Sequence, residues 1–136
     1  MPAVITHVFD ASALIAYFKG EEGHERVAAL LTDERNNLAI HIVNLCEVYY
    51  GYLRSDSLEK ANDAWERATK LLGVLGTIGE DFIKRVARWK VRDGLGLGDS
   101  FVAAFAEENA AILVTADHTD FDPIHEAGLI RVEFIR

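Results

Sequence analysis

The sequence has little cysteine and proline and no long apolar run, and each shortage excludes a class of protein. One cysteine, Cys46, occurs in 136 residues, so neither an internal disulfide nor a cysteine-based zinc cluster can form. The two prolines, Pro2 and Pro123, leave no proline-rich linker to divide the chain. No apolar stretch reaches the roughly 18 residues that a membrane-spanning helix needs. The N-terminal stretch MPAVITHVFD lacks the basic region and cleavage site of a signal peptide. We therefore expect a cytoplasmic protein without a membrane partner.

Basic residues are outnumbered by acidic ones, 14 to 22, which gives a formal net charge of −8. This balance disfavours broad electrostatic attachment to nucleic acid, because phosphate contacts normally use a basic face. It leaves open a local basic patch, an acidic site neutralised by metal, or a basic partner protein. The length and the ordinary globular composition predict a single domain over residues 1–136.

Apolar segments of strand type alternate with segments of helical periodicity along the chain. This alternation predicts an α/β fold with a central, mainly parallel sheet and helices on both faces, a three-layer α/β/α arrangement. Ser12, Asn44 and Asp99 suit the N-terminal ends of three of the helices. The predicted strands are 4–9, 38–43, 74–78, 111–117 and 129–135, and the predicted helices lie within 12–20, 21–37, 44–55, 57–72, 80–93 and 99–109.

Four acidic residues occur where strands end or helices begin. Asp10 follows the first predicted strand, and Glu47 lies one turn into the helix after the second. Asp99 opens a predicted helix, and Asp117 follows the strand ILVT. Ligand sites of such sheets lie beyond the carboxyl ends of the strands, near a switch in strand order. The four carboxylates are therefore predicted to meet at one end of the sheet.

Each acid alone also suits a structural role. Asp10 and Asp117 fit turns, Asp99 fits a helix N-cap, and Asn44 with Glu47 has the spacing of a capping box. Together, however, crowded carboxylates repel one another, and some stay protonated unless a cation joins them. Mg²⁺ and Mn²⁺ favour oxygen ligands, so the set predicts a site for one of these ions.

The stretch GLGLGD over residues 94–99 has the look of a phosphate-binding loop. The dinucleotide fingerprint needs glycine at its sixth position, and here that position is Asp99. We interpret the glycines as giving the chain freedom to turn sharply into the helix that carries Asp99.

The stretches VFDASALIAYF, NLCEVYYG, GLGDSFVAAFA and ILVTADHTDF resemble, in this order, the four acidic motifs of PIN-domain ribonucleases. In size and layout the chain is similar to the VapC toxins of type II toxin–antitoxin pairs. The resemblance implies a PIN-like fold, cleavage of RNA with Mg²⁺ or Mn²⁺, a homodimer, and silencing by a cognate antitoxin protein. It implies that Asp10, Glu47, Asp99 and Asp117 form the catalytic metal site, with supporting roles for Ser12, Thr115 and Asp120.

A basic run, KRVARWKVR, precedes the glycine stretch. Lys84, Arg88 and Arg92 are four residues apart and share one face of the predicted helix. This basic stripe is a candidate surface for the RNA backbone, and a solvated helix face is the alternative.

Two further functions fit parts of the sequence. Phosphatases of the haloacid dehalogenase type also begin with a strand that ends in aspartate, but they need a second aspartate where this chain has Ser12. A non-catalytic, PIN-like binding module is the other alternative, although all four acids are present.

Overall fold

The fold is described from a computed structural model, which covers residues 4–136. The first three residues of the predicted domain lie outside the described part. Within that part, five strands alternate with seven helices. The elements are β1 (His7–Phe9), α1 (Ala11–Lys19), α2 (His24–Thr32), β2 (Leu38–His41), α3 (Ile42–Ser55), α4 (Leu58–Leu71), β3 (Gly73–Leu75), α5 (Glu80–Asp93), α6 (Leu97–Asn109), β4 (Ile112–Thr115), α7 (His118–Glu126) and β5 (Val132–Phe134).

The five strands form one sheet in the order β3-β2-β1-β4-β5. The strand pairings described for residues 4–136 are all parallel, which confirms the predicted fold class. The chain builds outward from β1 to β3, then crosses back to place β4 on the other side of β1. The strand order therefore switches between β1 and β4, and in open α/β sheets ligand sites lie at the carboxyl ends of the strands at such a switch.

Helices cover both faces of the sheet, which gives the predicted three layers. Successive side chains of a strand point to opposite faces, so Val8 belongs to one hydrophobic cluster and Phe9 to the other. Val8 and Leu113 pack with α5, α6 and α7. Phe9 and Val114 pack with α1, α3 and α4. The strands β1, β2 and β4 in the middle of the sheet are buried on both faces, which explains why apolar residues follow one another in their sequences.

Three helices begin earlier than the sequence predicted, and the predicted N-caps are wrong. Asp10, not Ser12, caps α1; the backbone N–H of Ala13 donates to its side chain. His41, not Asn44, caps α3. The helix α6 begins at Leu97 after Gly96, so Asp99 lies inside its first turn.

Other boundaries agree with the sequence or differ in length. Ser57 caps α4, and α5 covers the predicted 80–93 and buries Phe82, Val86 and Trp89. The strands are shorter than predicted, because β1 starts at His7 and β5 at Val132. The helix α7 was not predicted at all. Among residues 4–136, none of the helices is both long and apolar enough to cross a membrane.

Candidate metal centre

The carboxylate of Asp10 lies buried at the carboxyl end of β1 and is held by several donors. Its Oδ1 accepts the backbone N–H of Ala13 at 2.9 Å. The hydroxyl of Ser12 lies 2.8 Å from Oδ1 and 2.9 Å from Oδ2. The hydroxyl of Thr115 donates to Oδ2. Asp10 is only 4% exposed, so its orientation is fixed by these contacts.

The same two hydroxyls connect Asp10 to the segment that follows β4. Thr115 Oγ1 accepts the backbone N–H of Asp117 at 2.9 Å. Ser12 Oγ accepts the backbone N–H of Ala116 at 3.0 Å. Each hydroxyl therefore accepts a hydrogen bond from one backbone N–H and donates one to Asp10. The hydroxyls of Ser12 and Thr115 both contact the Asp10 carboxylate, and their supporting roles stay a prediction.

Replacing Thr115 by valine tests this support. The variant keeps the side-chain shape, but it removes a donor to Asp10 and an acceptor for Asp117. We expect a loss of about 1–3 kcal/mol in unfolding free energy and Mn²⁺ binding that is about 10–100-fold weaker. Thermal unfolding and calorimetric titration measure the two effects. Thr115→Ser retains the hydroxyl and serves as the control; equal affinities of the two variants would refute the role.

A second group of acids lies beside Asp10. Carboxylate oxygens of Asp99, Asp117 and Asp120 lie within 4.8 Å of one another. Asp117 is the N-cap of α7 and accepts the backbone N–H of Asp120 at 3.2 Å. The geometry therefore places Asp120, which the sequence interpretation gave a supporting role, in the cluster itself. Asp120 lies one helical turn beyond Asp117, but this spacing is informative only once α7 is recognised as a helix, and the sequence patterns did not predict α7.

The pKa values of these acids reflect burial and mutual repulsion. Burial raises the pKa of Asp10 to about 6, although hydrogen bonds from Thr115, Ala13 and Ser12 oppose the rise. Burial, followed by the neighbouring carboxylate of Asp120, raises the pKa of Asp99 to about 8. The pKa of Asp117 is raised as well, again chiefly by burial. Without a cation, the cluster therefore retains protons near neutral pH.

Glu47 reaches the same region from α3 but lies outside the three-acid cluster. Its carboxylate packs against Gly98, the residue before Asp99. Asn44 Nδ2 donates to Glu47 Oε1 at 2.8 Å and to the Gly98 carbonyl at 3.0 Å. Burial raises the pKa of Glu47, and the hydrogen bond from Asn44 opposes the rise. No local sequence pattern indicates that Glu47 packs against Gly98, because the two residues are distant in the chain.

The donor set fits a hard divalent cation. Its side chains offer carboxylate oxygens, and three of them are close enough to share one ion. Asp10 is near enough to Asp99 to raise its pKa. A divalent ion at this point would relieve the repulsion that keeps the acids protonated. Asp99, Asp117 and Asp120 would hold such an ion, with Asp10 beside them.

The basic stripe of Lys84, Arg88 and Arg92 is exposed on α5. Lys84 pairs with Glu80, 3.4 Å away, and the guanidinium of Arg92 lies over the Trp89 ring. Arg92 is the stripe residue nearest in sequence to Asp99, since only the short connection between α5, which ends at Asp93, and α6, which begins at Leu97, separates them. The stripe runs from the loop before the acidic cluster along the outside of α5.

A family model described as PIN domain matches residues 7–124. The chain therefore belongs to the PIN domain family. This match also decides against the haloacid dehalogenase alternative, in agreement with Ser12 binding Asp10. A search of curated proteins finds no match.

Solved structures with the same fold include three toxin–antitoxin proteins. VapBC2 from Rickettsia felis, bound to a DNA fragment from its promoter, has a TM-score of 0.74 and 18% identity, covering 96% of this chain and 98% of that chain. VapBC-1 from nontypeable Haemophilus influenzae has a TM-score of 0.71 and 21% identity, with coverages of 96% and 98%. VapC20 from Mycobacterium tuberculosis, a toxin that cleaves the sarcin-ricin loop, has a TM-score of 0.70 and 14% identity, with coverages of 87% and 95%. At these identities the likeness establishes the fold.

Proposed function

We propose that the chain is a ribonuclease that hydrolyses RNA phosphodiesters with Mg²⁺ or Mn²⁺. One observation carries the proposal: carboxylates from distant parts of the sequence crowd together at the switch in strand order. Asp99, Asp117 and Asp120 lie within 4.8 Å of one another, and Asp10 is buried beside them. Crowded carboxylates repel one another and so destabilise the fold. Together, however, they can bind a divalent ion, which neutralises the charge of a phosphate group.

Each residue of the centre has a distinct task in this proposal. Asp99, Asp117 and Asp120 bind the ion, and Asp10 and Glu47 complete the catalytic set. Ser12 and Thr115 keep the Asp10 carboxylate in one orientation. A bound divalent ion supplies activation of water and neutralisation of the phosphate charge. A carboxylate of the set that does not contact the ion accepts the proton of the attacking water.

The biological role that we propose is that of a VapC-type toxin. The support comes from the similar proteins, which include VapBC structures and a toxin that cleaves the sarcin-ricin loop. In this role the chain acts in the cytoplasm as one PIN domain over residues 1–136, forms a homodimer, and is silenced by a cognate antitoxin. A small neighbouring gene that encodes a DNA-binding protein would support the pairing.

An RNA cleavage assay tests the enzymatic proposal. Purified protein is incubated with a mixed RNA in Mg²⁺, Mn²⁺ or EDTA, and products are resolved on a gel. Cleavage in either metal and none in EDTA is expected. Equal cleavage in EDTA would contradict the metal requirement. No cleavage, together with no Mn²⁺ binding by calorimetry, would favour the non-catalytic binding module.

The basic stripe gives a separate prediction. Arg88→Ala removes an exposed cation from the middle of the stripe without touching an acid of the centre. We expect KM for RNA to rise several-fold with kcat little changed, since the contact would be uniform in ground and transition states. The slope of log affinity against log salt should fall by about one for a lost phosphate contact. An unchanged slope would identify the stripe as a solvated helix face; Lys70→Ala on α4 is the control.

A further inference from the structure

The position of Glu47 depends on the absence of a side chain at residue 98. An added Cβ at Gly98 would coincide with the carboxyl group of Glu47, nearer than atoms can approach. Gly98 is not among the glycines with positive φ, so other residues could adopt its backbone conformation. The requirement at this position is therefore space and not conformational freedom. For Gly98 this corrects the interpretation of the glycine stretch, whereas Gly94, with a φ of 65°, does use the conformational freedom of glycine where α5 ends.

Asn44, which also lies on α3, donates a hydrogen bond to the same carboxylate. Its side chain is fully buried, and Nδ2 bridges Glu47 Oε1 and the Gly98 carbonyl. Both partners are acceptors, so the nitrogen end of the amide must face them. Among residues 4–136, Oδ1 of Asn44 finds no hydrogen-bond partner. A buried, half-satisfied amide is unfavourable for stability, which points to a task beyond packing.

We propose that Asn44 and Gly98 are positioning residues that hold the Glu47 carboxylate against the first turn of α6, beside Asp99. The inference rests on the proposed metal centre. Asn44 engages Oε1, and Oε2 is the atom that lies nearest to the place a Cβ of residue 98 would take. The same amide donates to the Gly98 carbonyl and therefore links the Glu47 carboxylate to the backbone next to Asp99. Any side chain at residue 98 would push Glu47 out of this place.

The glycine stretch offers a matched control for the space at Gly98. At Gly96, two residues earlier, an added Cβ meets nothing within 4 Å, and φ is −61°. Gly98→Ala and Gly96→Ala therefore make the same chemical change at the start of α6, and only the first meets Glu47. Since the obstructed atoms are the far end of a flexible side chain, Gly98→Ala displaces Glu47 without a large loss of stability.

The test is a double-mutant cycle read by Mn²⁺ affinity in calorimetry, with no RNA present. Gly98→Ala is expected to weaken Mn²⁺ binding about tenfold or more, whereas Gly96→Ala leaves it unchanged. In a Glu47→Ala background, Gly98→Ala should have no further effect, because the obstructed group is gone. Equal effects of the two glycine variants would overturn the proposal, and so would the same loss in both Glu47 backgrounds.

Asn44 provides a second, independent pair of variants. Asn44→Thr retains a hydroxyl donor, whereas Asn44→Val has the same shape without it. The threonine variant is expected to bind Mn²⁺ several-fold more tightly than the valine variant; equal affinities would overturn the role of Asn44. Thermal unfolding without metal reports whether each variant folds. Because RNA is absent, a wild-type protein that binds Mn²⁺ but cleaves no RNA would refute the proposed function and leave both tests readable.

Discussion

Replacing Asp10 by asparagine is expected to reduce metal-dependent RNA cleavage by more than about a hundredfold, beyond the usual cost of altering a ligand's support. The variant removes one negative charge from the most buried acid of the centre. It should fold, because asparagine is as good an N-cap as aspartate and its Oδ1 can accept the Ala13 N–H. If activity is lost while the fold is retained, the loss is therefore due to the missing negative charge and not to a missing helix cap.

The measurement is the initial rate of RNA cleavage at saturating Mn²⁺, with the melting temperature of each protein as a check on folding. Asp93→Asn, at the exposed end of α5, makes the same chemical change away from the acidic cluster and should retain the wild-type rate. Full activity of Asp10→Asn would refute the proposed centre. Asp10→Asn also controls for a contaminating nuclease, because the activity of a contaminant would remain in the Asp10→Asn preparation.

The meeting of the acids could be predicted from the sequence, because it follows from a general property of parallel sheets. Asp10 and Asp117 follow strands, and the carboxyl ends of parallel strands share one edge. The chemistry of the cluster was equally accessible, since carboxylates gathered at one point suit a hard cation. Neither step required knowledge of any contact between distant side chains.

The helix starts could not be fixed in the same way. Asp10 and Ser12 are both good capping residues, two positions apart, and the local pattern does not choose between them. In the structure Asp10 caps α1 and Ser12 donates to it. His41 caps α3 through its ring nitrogen, a role that few sequence rules assign to histidine. The helix α7 was missed because Pro123 interrupts a short, polar stretch whose only buried residues are Phe121 and Ile124.

The contact of Glu47 with Gly98 lies beyond any local pattern. It joins α3 to α6, and it is possible because residue 98 has no side chain: a Cβ there would collide with the Glu47 carboxyl group. The spacing of Asn44 and Glu47 suggested a capping box, in which each side chain bonds the other's backbone. The fold uses the same spacing for a bond between the two side chains. Helix caps depend on neighbours in sequence, whereas this contact depends on how two helices pack.

Replacing Asp99 by asparagine is expected to stabilise the metal-free protein at pH 8. Burial and the neighbouring acids raise the pKa of Asp99 to about 8 in the folded state, against about 3.9 in an unfolded chain. The folded protein therefore holds a proton that the unfolded chain releases. The stability that this group contributes is fully present below about pH 4, and it is lost as the pH rises through about 8.

Asparagine resembles the protonated form of Asp99 at every pH, and its amide can donate to Asp120 as the protonated acid does. The unfolding free energy of the variant should therefore fall less between pH 4 and pH 8 than that of wild type. At pH 8 without metal we expect it to be more stable than wild type by about 1 kcal/mol, a value discounted for solvent screening. In a chain of this size that corresponds to about 3–5 °C in melting temperature.

Mn²⁺ should reverse the order of the two proteins. Wild type gains stability from an ion that binds only the folded state, whereas the variant lacks one of the three clustered carboxylates and gains little. Melting curves from pH 5 to 8.5, with EDTA or with Mn²⁺, measure both effects, and Asp93→Asn should follow wild type throughout. A variant less stable than wild type in EDTA at pH 8, or equally stabilised by Mn²⁺, would show that Asp99 supports the fold and not an ion. The sign of one substitution therefore distinguishes an acidic cluster built for metal from one built for structure.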